Sequence, residues 1–148
     1  MLVYRICRPM YAQDLSGAGA KMYGGRWNHE GFAMLYTATN SSLAMLEILV
    51  HADRNYLQNN FVLVCLSIPD KLTIKKVIPS KQLFDDKALF HSKETGTKWL
   101  QEHETPVLKV PSMVNSFEHN FLINPSHADS HRITIEDIHT FNFDHRLT

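Results

Sequence analysis

Residues 24–54 read GGRWNHEGFAMLYTATNSSLAMLEILVHADR, and the fold class follows from how that run divides. The paired glycines Gly24 and Gly25 let the backbone approach a ligand closely or take a positive φ, which marks a loop. Phe32 to Thr37 is apolar and ends in β-forming residues, as a strand does. From Thr39 to about Arg54 there is neither Gly nor Pro, and Thr39, Asn40, Ser41 and Ser42 are candidate N-caps, so a helix is predicted there. Loop, strand and helix following one another this closely point to a mixed α+β domain.

The same run holds the chemistry. Leu43, Leu46, Glu47 and Val50 share one stripe at helical spacing, which sets a carboxylate in or beside the face that ought to be buried. Burying an uncompensated carboxylate costs on the order of several kcal/mol, so Glu47 must be paired, solvated or put to use. His51 one turn on, or a lysine elsewhere, would be a structural partner; a ligand would be a functional one. Arg26 follows the two glycines and offers a planar fork suited to phosphate or carboxylate, against the duller option of stacking on Trp27. Gly25 and Asn28 flank it as candidate substrate contacts, and Lys21 is a second cation for a phosphate. Tyr36 neighbours Leu35 on the strand, so one of them faces the core and the other a cleft or solvent. Its ring either stacks on a flat ligand or packs at the sheet edge with its hydroxyl wet.

Outward from this run, Leu2 to Cys7 reads as a strand closed by Arg8-Pro9, and residues 13–25 carry four glycines, too many for a regular element. Phe61 to Ile68 is a continuous apolar strand, expected near the middle of a sheet, and Leu72 to Ile78 is another strand. Lys93 to His103 reads as a helix anchored by Trp99 and Leu100. Val107 to Val110 and Phe121 to Ile123 are short strands stopped by Pro111-Ser112 and Asn124-Pro125, and Ile133 through Phe143 has the alternation of one or two closing strands. No repeat or linker interrupts the series, so residues 1–148 are expected to form one compact domain with a mixed sheet.

With 148 residues and 44% hydrophobic content, the chain can bury a core of its own. Fifteen basic and fifteen acidic residues give a formal charge of zero, so no global field draws it to nucleic acid or to anionic lipid. No apolar run is long enough to span a bilayer and none resembles a signal sequence, which favours a cytoplasmic protein. Cys7 and Cys65 lie inside strand-like runs, as small buried thiols do, and suggest no disulfide framework. His127 and His131 are the best-spaced pair among nine histidines, but without an H-E-x-x-H order, a CxxC or a third ligand they do not amount to a metal site. Ser112 follows Pro111 at the end of a strand, where loops carry chemistry and where serine also simply turns the chain. No G-x-S-x-G elbow supports a serine hydrolase.

Taken in order, Gly24-Gly25-Arg26-Trp27-Asn28, Tyr36-Thr37-Ala38, Leu43-Ala44-Met45-Leu46-Glu47, Val110-Pro111-Ser112 and Leu122-Ile123-Asn124-Pro125 resemble the RES-domain family, whose name spells an arginine, a glutamate and a serine. The resemblance runs from Tyr4-Arg5-Ile6 to Phe143-Asp144-His145-Arg146-Leu147 and matches the three motif residues to Arg26, Glu47 and Ser112. It departs at Lys98, where an acidic residue is frequent, and at His29 and Glu30, where proline is common. The resemblance implies a fold like that of ADP-ribosyltransferase toxins. It also implies a bacterial toxin of a toxin–antitoxin pair that degrades NAD⁺, with inorganic phosphate as co-substrate in a phosphorolysis and no metal. Protein ADP-ribosylation and NAD glycohydrolysis are the neighbouring activities in the family. The implied partner is an Xre-type helix-turn-helix antitoxin whose C-terminal part plugs the cleft, with a homodimer inside a hetero-oligomeric complex left open. In that setting Arg26 grips a phosphate, Lys21 offers a second phosphate contact, and Tyr36 stacks near the nicotinamide. Glu47 bonds ribose hydroxyls and steadies the cation, while Ser112 positions the nicotinamide ribose or the incoming phosphate. A nucleic-acid-acting toxin, or a module that only binds its antitoxin, are the alternatives of a different class.

Overall fold

The computed structural model describes all residues, 1–148. Seven strands form one sheet in the order β4-β5-β6-β2-β1-β3-β7. They are β1 (Leu2–Cys7), β2 (Leu35–Ala38), β3 (Phe61–Ser67), β4 (Ile74–Lys76), β5 (Val107–Pro111), β6 (His119–Ile123) and β7 (Thr134–Phe141). Only β4 and β5 run parallel; every other neighbouring pair is antiparallel, so the sheet is mixed, as expected. Four helices accompany it: α1 (Ala18–Tyr23), α2 (Ser41–Leu49), α3 (Arg54–Leu57) and α4 (Ala88–Glu102).

The register is uneven in an informative way. β1 pairs with β3 along its whole length, Leu2 opposite Ser67 through Cys7 opposite Val62, and β2 pairs with β6 from Leu35 opposite Ile123 to Ala38 opposite Asn120. Between β1 and β2 a single pair remains, Tyr4 opposite Ala38. The sheet is thus two ribbons, β4-β5-β6-β2 and β1-β3-β7, held together at one rung and free to splay beyond it.

Alternation along the strands sends one set of side chains to each face. On one face Val3, Leu35, Val64, Leu66, Val107, Phe121 and Ile123 pack with Ala12, Ile68, Leu72 and Ile133 from the connecting segments. The other face carries two separate clusters. Trp27, Met34, Leu108, Val110 and Leu122 pack with Trp99 and Leu100 of α4, while Ile6, Ala38, Phe61 and Phe143 pack with Leu43 and Ala44 of α2 and Leu57 of α3. α4 thus covers the first ribbon, whereas α2 lies over β1 and reaches Ala38 of β2 at the rung that joins the two ribbons.

Several elements differ from the sequence reading. The glycine-rich segment 13–25 contains the short helix α1, because Ala18, Ala20, Lys21 and Met22 sustain one turn and a half around Gly19. The helix expected from Thr39 to Arg54 is two: Asn40 caps α2, its Oδ1 accepting from the Leu43 amide at 2.8 Å, and after Leu49 the chain turns before Asp53 caps α3. Val50, placed on the apolar stripe, is consequently exposed. α4 begins five residues before Lys93, with Leu89 and Phe90 exposed in its first turn and so contributing no inward periodicity. β3 lies one strand from the β7 edge, and β2 is the middle strand; Phe61, Val64, Cys65 and Leu66 of β3 are buried by the core on both faces and not by central position. No helix is long and apolar enough to cross a membrane.

Candidate active site

A cleft of about 870 Å³ opens where the two ribbons part. Tyr4, Arg5 and Ile6 of β1 line one side of the seam and Tyr36, Thr37 and Ala38 of β2 the other, with Glu47 and Ile48 of α2 and the Gly24–Trp27 turn completing the walls. Its size falls within the usual range for small-molecule and cofactor sites, roughly 300–1,000 Å³.

The Gly24–Asn28 turn is built as a rigid mount for one side chain. The Gly25 amide donates to the Asn28 carbonyl at 3.1 Å. Asn28 is fully buried, and its carboxamide donates to the carbonyls of Ala20 (2.8 Å), Phe32 (3.0 Å) and His29 (3.2 Å). Its Oδ1 accepts from the Tyr36 hydroxyl at 2.7 Å, and that hydroxyl accepts from the Trp27 amide at 2.9 Å. Burial pushes the Tyr36 phenol well above its ordinary value, against the smaller opposing pull of these bonds to Trp27 and Asn28, so it stays neutral. A Cβ on Gly25 would lie 2.6 Å from the Tyr36 hydroxyl oxygen, which is why no larger residue fits there. From the far side α4 clamps the turn: a Cβ on Gly96 would meet the Trp27 carbonyl oxygen at 1.8 Å, and Thr97 Oγ1 accepts from the His29 amide at 3.0 Å.

What this mount presents is Arg26. It lines the cleft, makes no ion pair, and its buried Nε has no hydrogen-bond partner in the protein. An unpartnered buried donor on a cation is costly, on the order of 1–3 kcal/mol or more, and an anion in the cleft relieves it. Arg5 lines the cleft from β1, anchored through Nη1 to the Asp14 carbonyl at 2.6 Å.

The opposite wall presents Glu47. Its Oε1 accepts from the Ser112 hydroxyl at 2.9 Å and from the Asn120 carboxamide at 2.6 Å, while Oε2 takes no bond from the protein. Neither His51 nor a lysine pairs with it; His51 lines the cleft on its own account. Ser112 is fully buried, and its Oγ also accepts from the amides of Val114 (3.2 Å) and Asn115 (3.1 Å). With both lone-pair directions taken, the hydroxyl hydrogen can go only to Glu47.

The structure therefore brings Arg26, Glu47, Gly25 and Tyr36 to one cleft and sets the other expected residues elsewhere. Lys21 is exposed on α1 and is not part of the cleft wall, because the helical turn points it outward. Asn28 holds the turn from inside and has no surface to offer a substrate. Ser112 stands behind Glu47, out of the cleft, so its hydroxyl acts on the carboxylate. Tyr36 lies on the middle strand with a bonded hydroxyl, so the sheet-edge option does not apply. Arg5, His51 and Asn120 were missed as cleft residues; a lone arginine interrupting Leu2–Cys7 and an asparagine opening an apolar strand were the available signals. His127 and His131 spend their Nδ1 atoms within the 124–131 turn, on the Asp129 amide and the Ala128 carbonyl.

The family described as RES domain matches residues 2–144. Toxin Res of Yersinia enterocolitica is 37% identical over 153 residues, spanning 99% of both chains, and Toxin Res of Photorhabdus laumondii is 36% identical over 156 residues, spanning 99% of this chain and 97% of that one. The Prs ADP-ribosylating toxin of a Sphingobium species is 36% identical over 145 residues, spanning 95% of this chain and 90% of its own. Among solved structures, the M. tuberculosis MbcT–MbcA toxin–antitoxin complex contains a chain that superposes with a TM-score of 0.78 over 95% of this chain and 84% of that one, at 16% identity, which establishes a shared fold.

Proposed function

Because the chain belongs to the RES-domain family of toxins, we propose that its cleft binds NAD⁺ and breaks the bond between nicotinamide and ribose, by phosphorolysis to nicotinamide and ADP-ribose-1″-phosphate. The observation that carries this reading is the pairing of an uncompensated guanidinium, Arg26, with a half-held carboxylate, Glu47, on facing walls of one dinucleotide-sized cleft. NAD⁺ is charged in the complementary sense, with an anionic pyrophosphate in its middle and a cationic ring at one end.

The chemistry asks little proton transfer of the protein. The nicotinamide leaves with the bonding electron pair as a neutral ring, so no general acid is needed, and positive charge builds on the ribose carbon it left. Arg26, with Arg5 on the other side of the seam, holds the pyrophosphate. Glu47 bonds a ribose hydroxyl through its free oxygen and stabilises the developing cation from a fixed position. The Tyr36 ring lies under the nicotinamide, and the phosphate oxygen then forms the new bond to the vacated carbon. Ser112 contributes from behind, through Glu47.

The test is direct. Purified, antitoxin-free protein is incubated with NAD⁺ with and without inorganic phosphate, and free nicotinamide is followed by chromatography. Phosphate-dependent release with ADP-ribose-1″-phosphate as the second product is expected; intact NAD⁺ in both arms from folded protein defeats the proposal. One observation favours a second reading, transfer of ADP-ribose onto a protein: a relative of 36% identity is named for ADP-ribosylating Prs. Labelling of a protein band by tagged NAD⁺ in place of small-molecule product would select it. The structural neighbour was solved with its antitoxin, which supports an antitoxin as the partner of this chain as well. We take the partner to be an antitoxin of the Xre type that covers the cleft, whose rim exposes Tyr23 and Val50 as apolar anchors. Depletion of cellular NAD⁺ and growth arrest follow when it is lost.

A further inference from the structure

Asn120 is bonded in an unusual way for a partly buried carboxamide. Its Nδ2 donates to Glu47 Oε1 at 2.6 Å, while its Oδ1 is buried with no partner. The charged acceptor fixes which end of the amide faces Glu47, since the reverse orientation would set a carbonyl oxygen against a carboxylate. Leaving a buried carbonyl unpaired costs on the order of 1–3 kcal/mol, so the side chain sacrifices one end to serve Glu47 with the other. A residue kept only for the fold would be better replaced by an apolar one of the same shape.

The second donor onto Glu47 has the same target atom. Ser112 Oγ reaches Oε1 at 2.9 Å, its hydrogen steered there by the two backbone amides it accepts. Both donors converge on Oε1, and Oε2 is left free on the cleft side. Glu47 has three side-chain torsions, and a solvated glutamate on α2 would populate several rotamers. Two donors from β6 and from the end of β5 reduce these to one.

We propose that Asn120 is a positioning residue: its carboxamide, acting with the Ser112 hydroxyl, fixes one oxygen of Glu47 so that the other is the one presented to the ribose. This rests on the NAD⁺-cleaving reading given above. Asn120 does not have to touch substrate for this role, and its effect falls on kcat and not on substrate affinity.

Three variants test it in the full chain, with nicotinamide release as the assay. In Asn120→Leu the unpaired carbonyl disappears along with the donor, so Tm is expected to hold or rise while kcat falls about 10–100-fold and KM stays within about threefold. Asn120→Asp replaces the donor by a second carboxylate, which donates only when protonated, so its activity relative to wild type is expected to climb at least about fivefold as pH falls from about 8 to 5.5. Taking the ratio at each pH sets aside the other charged groups that line the cleft with Glu47: Arg5 of β1, Arg26 of the glycine turn and His51 after α2. Asn120→Ala serves as the control for lost bulk and should resemble Asn120→Leu in kcat. A fall in Tm with kcat unchanged, a loss confined to KM, or a flat Asn120→Asp ratio would overturn the assignment. Those results leave wild-type turnover of NAD⁺ intact, whereas inactivity of the wild-type protein itself overturns the underlying reading as well.

Discussion

The two walls of the cleft secure their charged groups in opposite ways. On the arginine side the scaffold is saturated and the functional group is left alone: Asn28, Tyr36 and Thr97 fasten the turn, and nothing fastens the guanidinium. On the glutamate side the functional group itself is fastened, by Ser112 and Asn120, and only one of its oxygens is free. The difference fits the two tasks. A phosphate clamp needs a fixed base and an adaptable fork, since the pyrophosphate can meet a guanidinium in several geometries. A carboxylate facing a transient cation must already point the right way, because reorganising it during the reaction would raise the barrier.

From this contrast the largest effect belongs to the glutamate. Glu47→Gln keeps the shape and both donors' positions but removes the charge, and turnover of NAD⁺ is expected to fall by about a thousandfold or more with Tm nearly unchanged. Equal losses of stability and activity would instead make Glu47 a structural ion. Next comes the arginine: Arg26→Ala is expected to cost about 100-fold in kcat/KM, mostly through KM. Arg26→Lys should recover little of it, because an ammonium cannot replace the planar fork. Rescue by lysine would mean that charge alone is needed there and would erase the distinction between the walls.

The contrast also explains what the sequence could and could not disclose. The arginine wall is mostly local: Gly25, Arg26, Asn28 and Tyr36 lie within a dozen positions, and the bonds tying Asn28 to Ala20 and Tyr36 span eight residues. Paired glycines before an arginine are therefore readable as a mount. The partners of Glu47 are 65 and 73 residues away, on the far side of three strands and two helices. Amphipathic spacing could say that Glu47 needed a partner, but not that the partner would be Ser112 and Asn120. The same distance problem hid Arg5, which reaches the cleft only because β1 and β2 separate after one rung. Short strands such as β4 and β5 were legible from their prolines and β-branched residues; the order of strands in the sheet was not, since no local pattern encodes which edges meet. Lys21 failed for a simpler reason, as glycine content argued for a loop where a short helix turns that lysine to solvent.

A stability measurement separates the walls further. Asn28→Ala would leave the Phe32 carbonyl and the Tyr36 hydroxyl hydrogen without their partner and take a second donor from the Ala20 and His29 carbonyls, which keep the Gly24 and Phe32 amides; it is expected to cost about 2–4 kcal/mol, seen as a lower denaturant midpoint. Asn120→Leu, on the other wall, is expected to cost nothing. Two asparagines lying against the same cleft would thus behave oppositely, one holding the fold and the other holding a side chain.

The smallest effect is the most discriminating, because it splits a single residue. Tyr36→Phe keeps the ring proposed to lie beneath the nicotinamide and removes only the hydroxyl that pins Trp27 and Asn28. Activity is expected to fall less than about tenfold, while stability near neutral pH falls by about 1–3 kcal/mol. The pH dependence gives an independent check with a definite sign. The Tyr36 phenol is raised in the folded protein, so the folded state retains its proton where the unfolded chain loses it, and stability declines as pH climbs above about 10. Tyr36→Phe lacks that decline. The stability gap between wild type and variant should therefore be full below about pH 10 and narrow above it, measured by urea denaturation across the range. A gap that stays constant into the alkaline region would mean the hydroxyl is not buried against the turn, and the arginine mount would lose its central pin.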